Sequence, residues 1–434
     1  MKRYLLLLLL LWRSAALPAA EVKILCTADL HGELARFSAL LPAMRRAAGK
    51  DALLIDLGDL SQGNFEVARA GFPVMIEALN RAGYEMRVPG NHDFEISPDG
   101  FAGEFTAFRG TTLGADWSFG GIGGVPWRLV ERGGVRCAVI GLTDPKMPQR
   151  TAPDRQCRFE DPISALSKTM KEVRRSRPDV VVLARHAGMR GYGPPLTKLL
   201  GEFPEIAVVL GAHSHEEHPG EAVAGAWFVQ PGARAASAAM VTVTVDDRSR
   251  RITGIVSRLL RPDFASPAPE LAELAERIRR EAPEERRFPP NSMRWHELLA
   301  AALRSAAGAD AALTSYRGES GFPAPRTEQE LFRRLPYRDE VLCFRLSPQE
   351  YRELCRAERM RLRRLSSHLA VSGLPPERAA REVTLAVREF SALSCPRLRS
   401  MLEEKPARWR RIPGTVRELC REFLLSGGRE PRPR

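Results

Sequence analysis

Five short polar clusters recur just past the ends of predicted strands, and this recurrence constrains the fold more than any other feature of the chain. The apolar run Val22–Thr27 ends at Ala28-Asp29-Leu30-His31-Gly32, and Ala52–Asp56 ends at Leu57-Gly58-Asp59-Leu60-Ser61-Gln62-Gly63-Asn64. The helical run Val74–Ala82 leads to Val88-Pro89-Gly90-Asn91-His92-Asp93-Phe94-Glu95, which reads as a turn closing a strand. Asp179–Ala184 then ends at Arg185-His186-Ala187-Gly188, and Ile206–Leu210 at Gly211-Ala212-His213-Ser214-His215. Five of the eight histidines (31, 92, 186, 213 and 215) thus fall at strand ends, whereas core packing would scatter them. Strand, donor, helix, strand, donor is the order of an α/β fold that gathers polar groups at the carboxyl edge of its sheets. The Asp29-x-His31 spacing is expected to put both side chains on one side of an extended segment.

At 434 residues the chain exceeds one ordinary core and suits two or three domains. Met1–Ala20 has a charged start (Lys2, Arg3), an apolar run Leu5–Leu11 and small residues at Ser14–Ala20, the pattern of a secretory signal. The mature chain is therefore expected to be exported, to the periplasm or the extracellular space, without a membrane anchor. A proline-flanked helical stretch, 263–290, separates a first domain, 21–262, from a second, 291–425, and a basic flexible tail follows at 426–434. The formal net charge of +13 is assigned to solvated helix faces, because no basic block interleaved with aromatics marks a nucleic-acid surface. Seven widely spaced cysteines with no CxxC pair do not make a disulfide framework, and Cys26 and Cys137 read as buried thiols.

Asp29, His31, Asp59, Asn91, His186, His213 and His215 form a set of N and O donors without thiolate, suited to Zn, Mn, Fe or Co. Seven donors exceed one tetrahedral site and fit two ions if one carboxylate bridges. Two divalent ions a few ångströms apart suit phosphoryl chemistry, because they clamp the phosphate and lower the pKa of a shared water.

The motifs Thr27-Ala28-Asp29-Leu30-His31-Gly32, Gly58-Asp59-Leu60-Ser61-Gln62-Gly63, Gly90-Asn91-His92-Asp93, His186-Ala187-Gly188 and Gly211-Ala212-His213-Ser214-His215 resemble, in order, those of the calcineurin-like metallophosphoesterases. Within that group the chain resembles the secreted 5′-nucleotidases, which include UDP-sugar hydrolases and 2′,3′-cyclic-nucleotide phosphodiesterases. The resemblance implies a four-layer α/β/β/α domain, followed here by a smaller, divergent α+β domain. It implies that Asp29, His31 and His215 hold one metal and Asn91, His186 and His213 the other, with Asp59 bridging. It makes His92 the catalytic histidine and places its carboxylate partner three residues on, at Glu95, with Asp93 as the rival. In-line attack by a hydroxide shared between the two ions is the mechanism it implies.

In the second half, Ser315-Tyr316-Arg317-Gly318 stands where the family has an Asn-Gly-Gly run, and Leu335-Pro336-Tyr337-Arg338-Asp339 resembles its Leu-Pro-Phe-x-Asn. Ser391-Ala392-Leu393-Ser394-Cys395-Pro396 replaces the glycine-rich segment and its base-stacking aromatic. Arg317 and Arg338 are candidate phosphate contacts, and Tyr316 and Tyr337 candidate stacking faces. A small phosphate ester, nucleotide or otherwise, is the expected partner. A binding protein on a disused phosphatase fold would be marked by loss of a metal donor, and all seven are present.

Overall fold

The computed structural model describes residues 19–428 except 50, 71–72, 148–150, 153–155, 191–194, 282–283, 317–321 and 365–367. Two six-stranded sheets face each other. The first runs in the order Ile252–Leu260, Ala238–Asp246, Ala19–Thr27, Leu53–Asp56, Met86–Arg87, Thr111–Thr112. The second runs His218–Val223, Ala226–Gln230, Ile206–Leu210, Val180–Arg185, Val135–Leu142, Trp127–Arg132. The first is antiparallel from Ile252–Leu260 to Ala19–Thr27 and parallel from there to Thr111–Thr112, whereas the second has a parallel centre and an antiparallel pair at each edge.

The alternation of side chains along each strand builds the layers. Val22, Ile24 and Cys26 join Val139, Val182 and Val208 in the core between the sheets, whereas Leu25 faces the opposite way onto Phe37, Leu40 and Met75 of the covering helices. Helices Leu34–Ala48 and Val74–Ala82 cover the first sheet, and Pro162–Ser176 and Leu196–Glu202 the second. The outcome is the expected α/β/β/α arrangement. Cys26 and Cys137 are fully buried thiols, and burial pushes Cys137 up to about 12.

The helix Pro269–Glu281, inside the expected 263–290 linker, is docked on the first unit. Its Leu271, Leu274, Ala275 and Ile278 follow helical spacing and are buried among Phe37, Leu41 and Leu79. The stripe was hidden in the sequence by the dense charges between its apolar positions.

The second unit has a five-stranded mixed sheet ordered His368–Gly373, Ala311–Tyr316, Val383–Arg388, Glu340–Leu346, Trp409–Thr415. Its helices fall on both faces, with Trp295–Ala307 and Val416–Leu425 on one and Pro348–Arg364 and Pro396–Glu404 on the other. Much of the excess of arginine here is paired, as in Arg408–Glu350 (2.7 Å), Arg421–Glu328 (2.6 Å) and Arg388–Asp339 (2.7 Å), so these charges are not simply solvated faces. The expected signal segment lies outside the described residues up to residue 18, and Ala19 and Ala20 already pair with Asp246 and Val245. Residues 429–434 of the expected tail also lie outside them. Among the described residues, no helix is long and apolar enough to cross a membrane.

Leu271→Ala tests the docking of that helix. A buried leucine in a shared core loses about 2–5 kcal/mol on truncation, readable by urea unfolding of the full chain. A change within about 0.5 kcal/mol would instead describe an exposed connector.

Candidate metal centre

The donors gather at the carboxyl ends of both sheets, but not by strand alternation. Asp29, His31, Asp59, His213 and His215 have φ of +50, +47, +54, +71 and +59°, so the Asp29-x-His31 segment is a left-handed turn and not the expected extended run. Such backbone costs about 1–3 kcal/mol per residue and persists only where surroundings enforce it. Cross-loop hydrogen bonds do the enforcing. Asp29 N donates to Gly58 O (2.9 Å), His31 N to Asp59 O (2.9 Å), Gly32 N to Leu60 O (2.9 Å) and Arg234 N to Asp29 O (2.7 Å). Gly90 must be glycine, since a Cβ there would lie 2.2 Å from Asp59 Oδ1 and 2.6 Å from His186 Cε1.

Two groups result, Asp29 with His31 and His215, and Asp59 with His186 and His213, each with its donor atoms within 4.8 Å of one another. The rings face each other through nitrogen: His31 Nε2 lies 3.1 Å from His215 Nε2, and His186 Nε2 lies 3.2 Å from His213 Nδ1. Asp59 Oδ2 is 3.3 Å and Asp29 Oδ1 3.9 Å from His186 Nε2, so the two groups share a boundary. The far nitrogens are committed, His31 Nδ1–H to Gln62 O (2.7 Å) and His186 Nδ1–H to Leu57 O (2.6 Å). That fixes the tautomer with the Nε2 lone pair turned inward, as a metal ligand requires. Asn91 Oδ1 is buried and has no hydrogen-bond partner. Converging lone pairs, two fully buried carboxylates and an orphaned amide oxygen fit divalent ions and little else. The charge balance agrees: burial pulls the His186 imidazole down, yet Asp59 and Asp29 outweigh it and lift it to about 10, so the buried carboxylates draw a positive charge to the place where an ion would otherwise supply it.

The two rival carboxylates separate cleanly. Glu95 Oε1 accepts from His92 Nδ1 at 2.7 Å. Asp93 faces away from that ring and accepts three backbone N–H groups, from Asp59 (2.9 Å), Leu60 (3.2 Å) and Gly90 (2.7 Å). Burial lowers the His92 imidazole, but Glu95 and Asp59 overcome this and raise it to about 9. His92 N also donates to Asp59 Oδ1 (2.8 Å), tying the histidine to the shared carboxylate.

The second unit reaches this centre through one segment. Tyr337 stacks on His92, with ring centroids 3.9 Å apart and planes 12° from parallel, and lies 5.7 Å from His31. Arg338 N donates to Gln62 Oε1 (2.8 Å). Arg338 also lines an interdomain cleft of about 1100 Å³ with His92, Glu95, Arg388 and the two-thirds-exposed Phe390. Asp339 is turned inward to Arg388 Nε (2.7 Å) and Phe390 N (3.2 Å). Tyr316 ends the strand Ala311–Tyr316 opposite His368, and Arg317 lies outside the described residues.

A family model, calcineurin-like phosphoesterase, matches residues 22–217, the span that carries every donor above. This chain contains a calcineurin-like phosphoesterase domain. A probable 5′-nucleotidase of Treponema pallidum (strain Nichols) is 26% identical over 175 residues, 37% of this chain and 28% of that protein. The protein UshA of Escherichia coli (strain K12) is 24% identical over 223 residues, 45% of this chain and 40% of that protein. The matched segment thus spans well under half the length of these curated relatives. In fold, a putative 5′-nucleotidase of Staphylococcus aureus superposes with a TM-score of 0.74 at 17% identity, covering 95% of this chain and 98% of that one. The two-unit architecture as a whole, and not only the phosphoesterase domain, is therefore shared with that structure.

Three residues at the site escaped the sequence. Gln62 joins His31, His92 and Arg338 through its backbone carbonyl, its amide nitrogen and its amide oxygen. Asp144 Oδ2 lies 3.9 Å from His213 Nε2, and Arg234 pairs with Glu33 (3.0 Å) beside the Tyr337 phenol. Asp144 and Arg234 follow the strands Val135–Leu142 and Ala226–Gln230, so the strand-end rule extended to every strand would have found them.

Asp93→Asn turns an amide N–H₂ toward at least one buried N–H of this loop. It is expected to cost about 1–3 kcal/mol of stability and roughly 10–100-fold in metal affinity, measured by unfolding and by metal titration. Unchanged metal affinity would mean that Asp93 does not position the donors.

Proposed function

We propose that this chain is an exported, metal-dependent phosphoric ester hydrolase acting on a nucleotide or a related small phosphate ester. The observation that carries the reading is the pair of donor groups with inward-facing ring nitrogens meeting at Asp59. Asp29, His31 and His215 would hold one divalent ion, and His186, His213 and Asn91 the other, with Asp59 between them. Ions held there would neutralise phosphate charge and supply a deprotonated water at neutral pH.

The residues of the chain do the rest. Glu95 accepts the hydrogen bond from His92 Nδ1–H, which fixes the ring and supports its positive charge, so that Nε2–H is available to donate to a phosphoryl or leaving oxygen. The backbone bond from His92 to Asp59 keeps that donor in register with the metal donors. Gln62 holds the first and second units together across the centre. Arg338 and Arg388 line the cleft and suit phosphate oxygens, while Tyr337 and Phe390 offer flat apolar faces for the remainder of the substrate. Names of the relatives support a nucleotide substrate, and the pattern of Met1–Ala20 supports export.

The test is phosphate release from AMP, UMP, UDP-glucose, 2′,3′-cyclic AMP and p-nitrophenyl phosphate by purified protein loaded with Mn or Zn. Diesters are run with added phosphatase so that cleavage to a monoester also scores. Turnover is expected to need metal and to fall by about 10²–10⁴ in kcat with His92→Ala. Preference for AMP or UMP supports a nucleotidase, and hydrolysis of p-nitrophenyl phosphate alone moves the substrate away from nucleosides. No turnover by protein holding two ions per chain would leave a binding protein on a phosphatase fold.

A further inference from the structure

At the turn Ser61–Gly63 the two units line a second pocket of about 380 Å³, open solvent at its mouth included. Its walls include Ser61, Gln62, Val67, Pro336, Arg338 and Arg417. Arg417 belongs to the helix Val416–Leu425 and is half-buried. Its Nη1 donates to Leu335 O (2.9 Å) and Pro336 O (3.3 Å), and its guanidinium lies over the Phe332 ring at 4.6 Å. Arg411 and Arg421 nearby in sequence are paired with Glu389 and Glu328, but Arg417 makes no ion pair among the described residues. Burial first, and then the like charge of Arg338, push its guanidinium down to about 10 against the opposing pull of Glu418. Across the pocket, Ser61 is 4% exposed and its hydroxyl has no hydrogen-bond partner. A half-buried cation that makes no ion pair and a buried hydroxyl without a partner both stand at an energetic deficit, and one anionic ligand would relieve both.

We propose that this pocket binds a tetrahedral oxyanion of the phosphate class, held by Arg417 and Ser61 with Arg338 on the same wall. A guanidinium presents its N–H groups at the spacing of two phosphate oxygens, and the serine hydroxyl donates to a third. Gln62 is the partition between this pocket and the metal centre, and it contacts His31, His92 and Arg338. An oxyanion seated here therefore bears on the residue that joins the two units. Two sources share this chemistry, free inorganic phosphate and the distal phosphate of a substrate with more than one. Choosing between them rests on the hydrolase reading above, whereas the binding itself does not.

The metal-free protein with both units present is titrated with inorganic phosphate at constant ionic strength, by calorimetry and by thermal midpoint. Saturable binding is expected, weakened roughly tenfold or more by Arg417→Gln and measurably by Ser61→Ala. No binding by the unaltered protein, or equal affinity in Arg417→Gln, overturns the site. If Arg417→Gln does not fold, Arg417→Lys keeps the charge, loses the fork and must still weaken binding together with Ser61→Ala. With metal-loaded enzyme, a rise in KM for ADP but not AMP in the variant assigns the pocket to a distal phosphate. A rise in the inhibition constant of phosphate with both KM values unchanged assigns it to free phosphate. A variant unchanged in all of these overturns the proposal even if the enzyme turns over normally, and an enzyme without turnover leaves the metal-free titration to decide.

Discussion

Everything at the metal centre depends on loops being zipped together by their own backbones. The turn after Ala19–Thr27 bonds to the turn after Leu53–Asp56 at Asp29–Gly58, His31–Asp59 and Gly32–Leu60, so the two strands continue to pair after their regular geometry has ended. Asp93 then gathers N–H groups from the second and third turns into one carboxylate. These bonds fix left-handed residues in place, and left-handed residues swing donors from three loops toward common points. A carboxylate outside the donor set thus ties together the two turns that carry Asp59 and Asn91.

The sequence made the strand ends legible because two signals coincide there: an apolar run of strand length stops, and a residue able to bind a cation follows within a few positions. Ile206–Leu210 forms over the span read from the sequence, and Ala52–Asp56 and Asp179–Ala184 form within one residue of theirs. Conformation past those ends was not legible, since no composition rule separates an extended Asp-x-His from a left-handed one. Packing with a weak periodic signal was also lost. Trp127–Arg132 alternates polar and apolar residues only loosely at a sheet edge, and the apolar face of Pro269–Glu281 is outnumbered by its charges. The choice between Glu95 and Asp93 turned on one turn of 3-10 helix, His92–Glu95, which brings residues three apart onto one side and turns the intervening aspartate inward.

In the second unit, a divergent sequence has kept a shared architecture while changing what it presents. The Leu335-Pro336-Tyr337-Arg338-Asp339 segment brings Tyr337 and Arg338 to the centre, and the final Asp339 braces Arg388 and the Phe390 backbone instead of facing substrate. Phe390, immediately before the segment that lacks the expected aromatic, stands exposed in the cleft. Fold likeness at 17% identity carries the arrangement of layers and says nothing of which ester fits this altered wall.

The stack of Tyr337 on His92 makes this chain a ligand of itself. A guest that needs that ring face must first displace the tyrosine, so tyrosine and guest compete for the same ground. Affinity for any such guest would then be the intrinsic affinity scaled by the fraction of molecules in which the tyrosine is off the ring. Loosening the docked arrangement would raise apparent affinity without adding a single contact, whereas tightening it would protect the metal donors from solvent and from unsuitable guests. How firmly the second unit sits thus becomes a setting of substrate threshold, adjustable at residues that never touch the substrate.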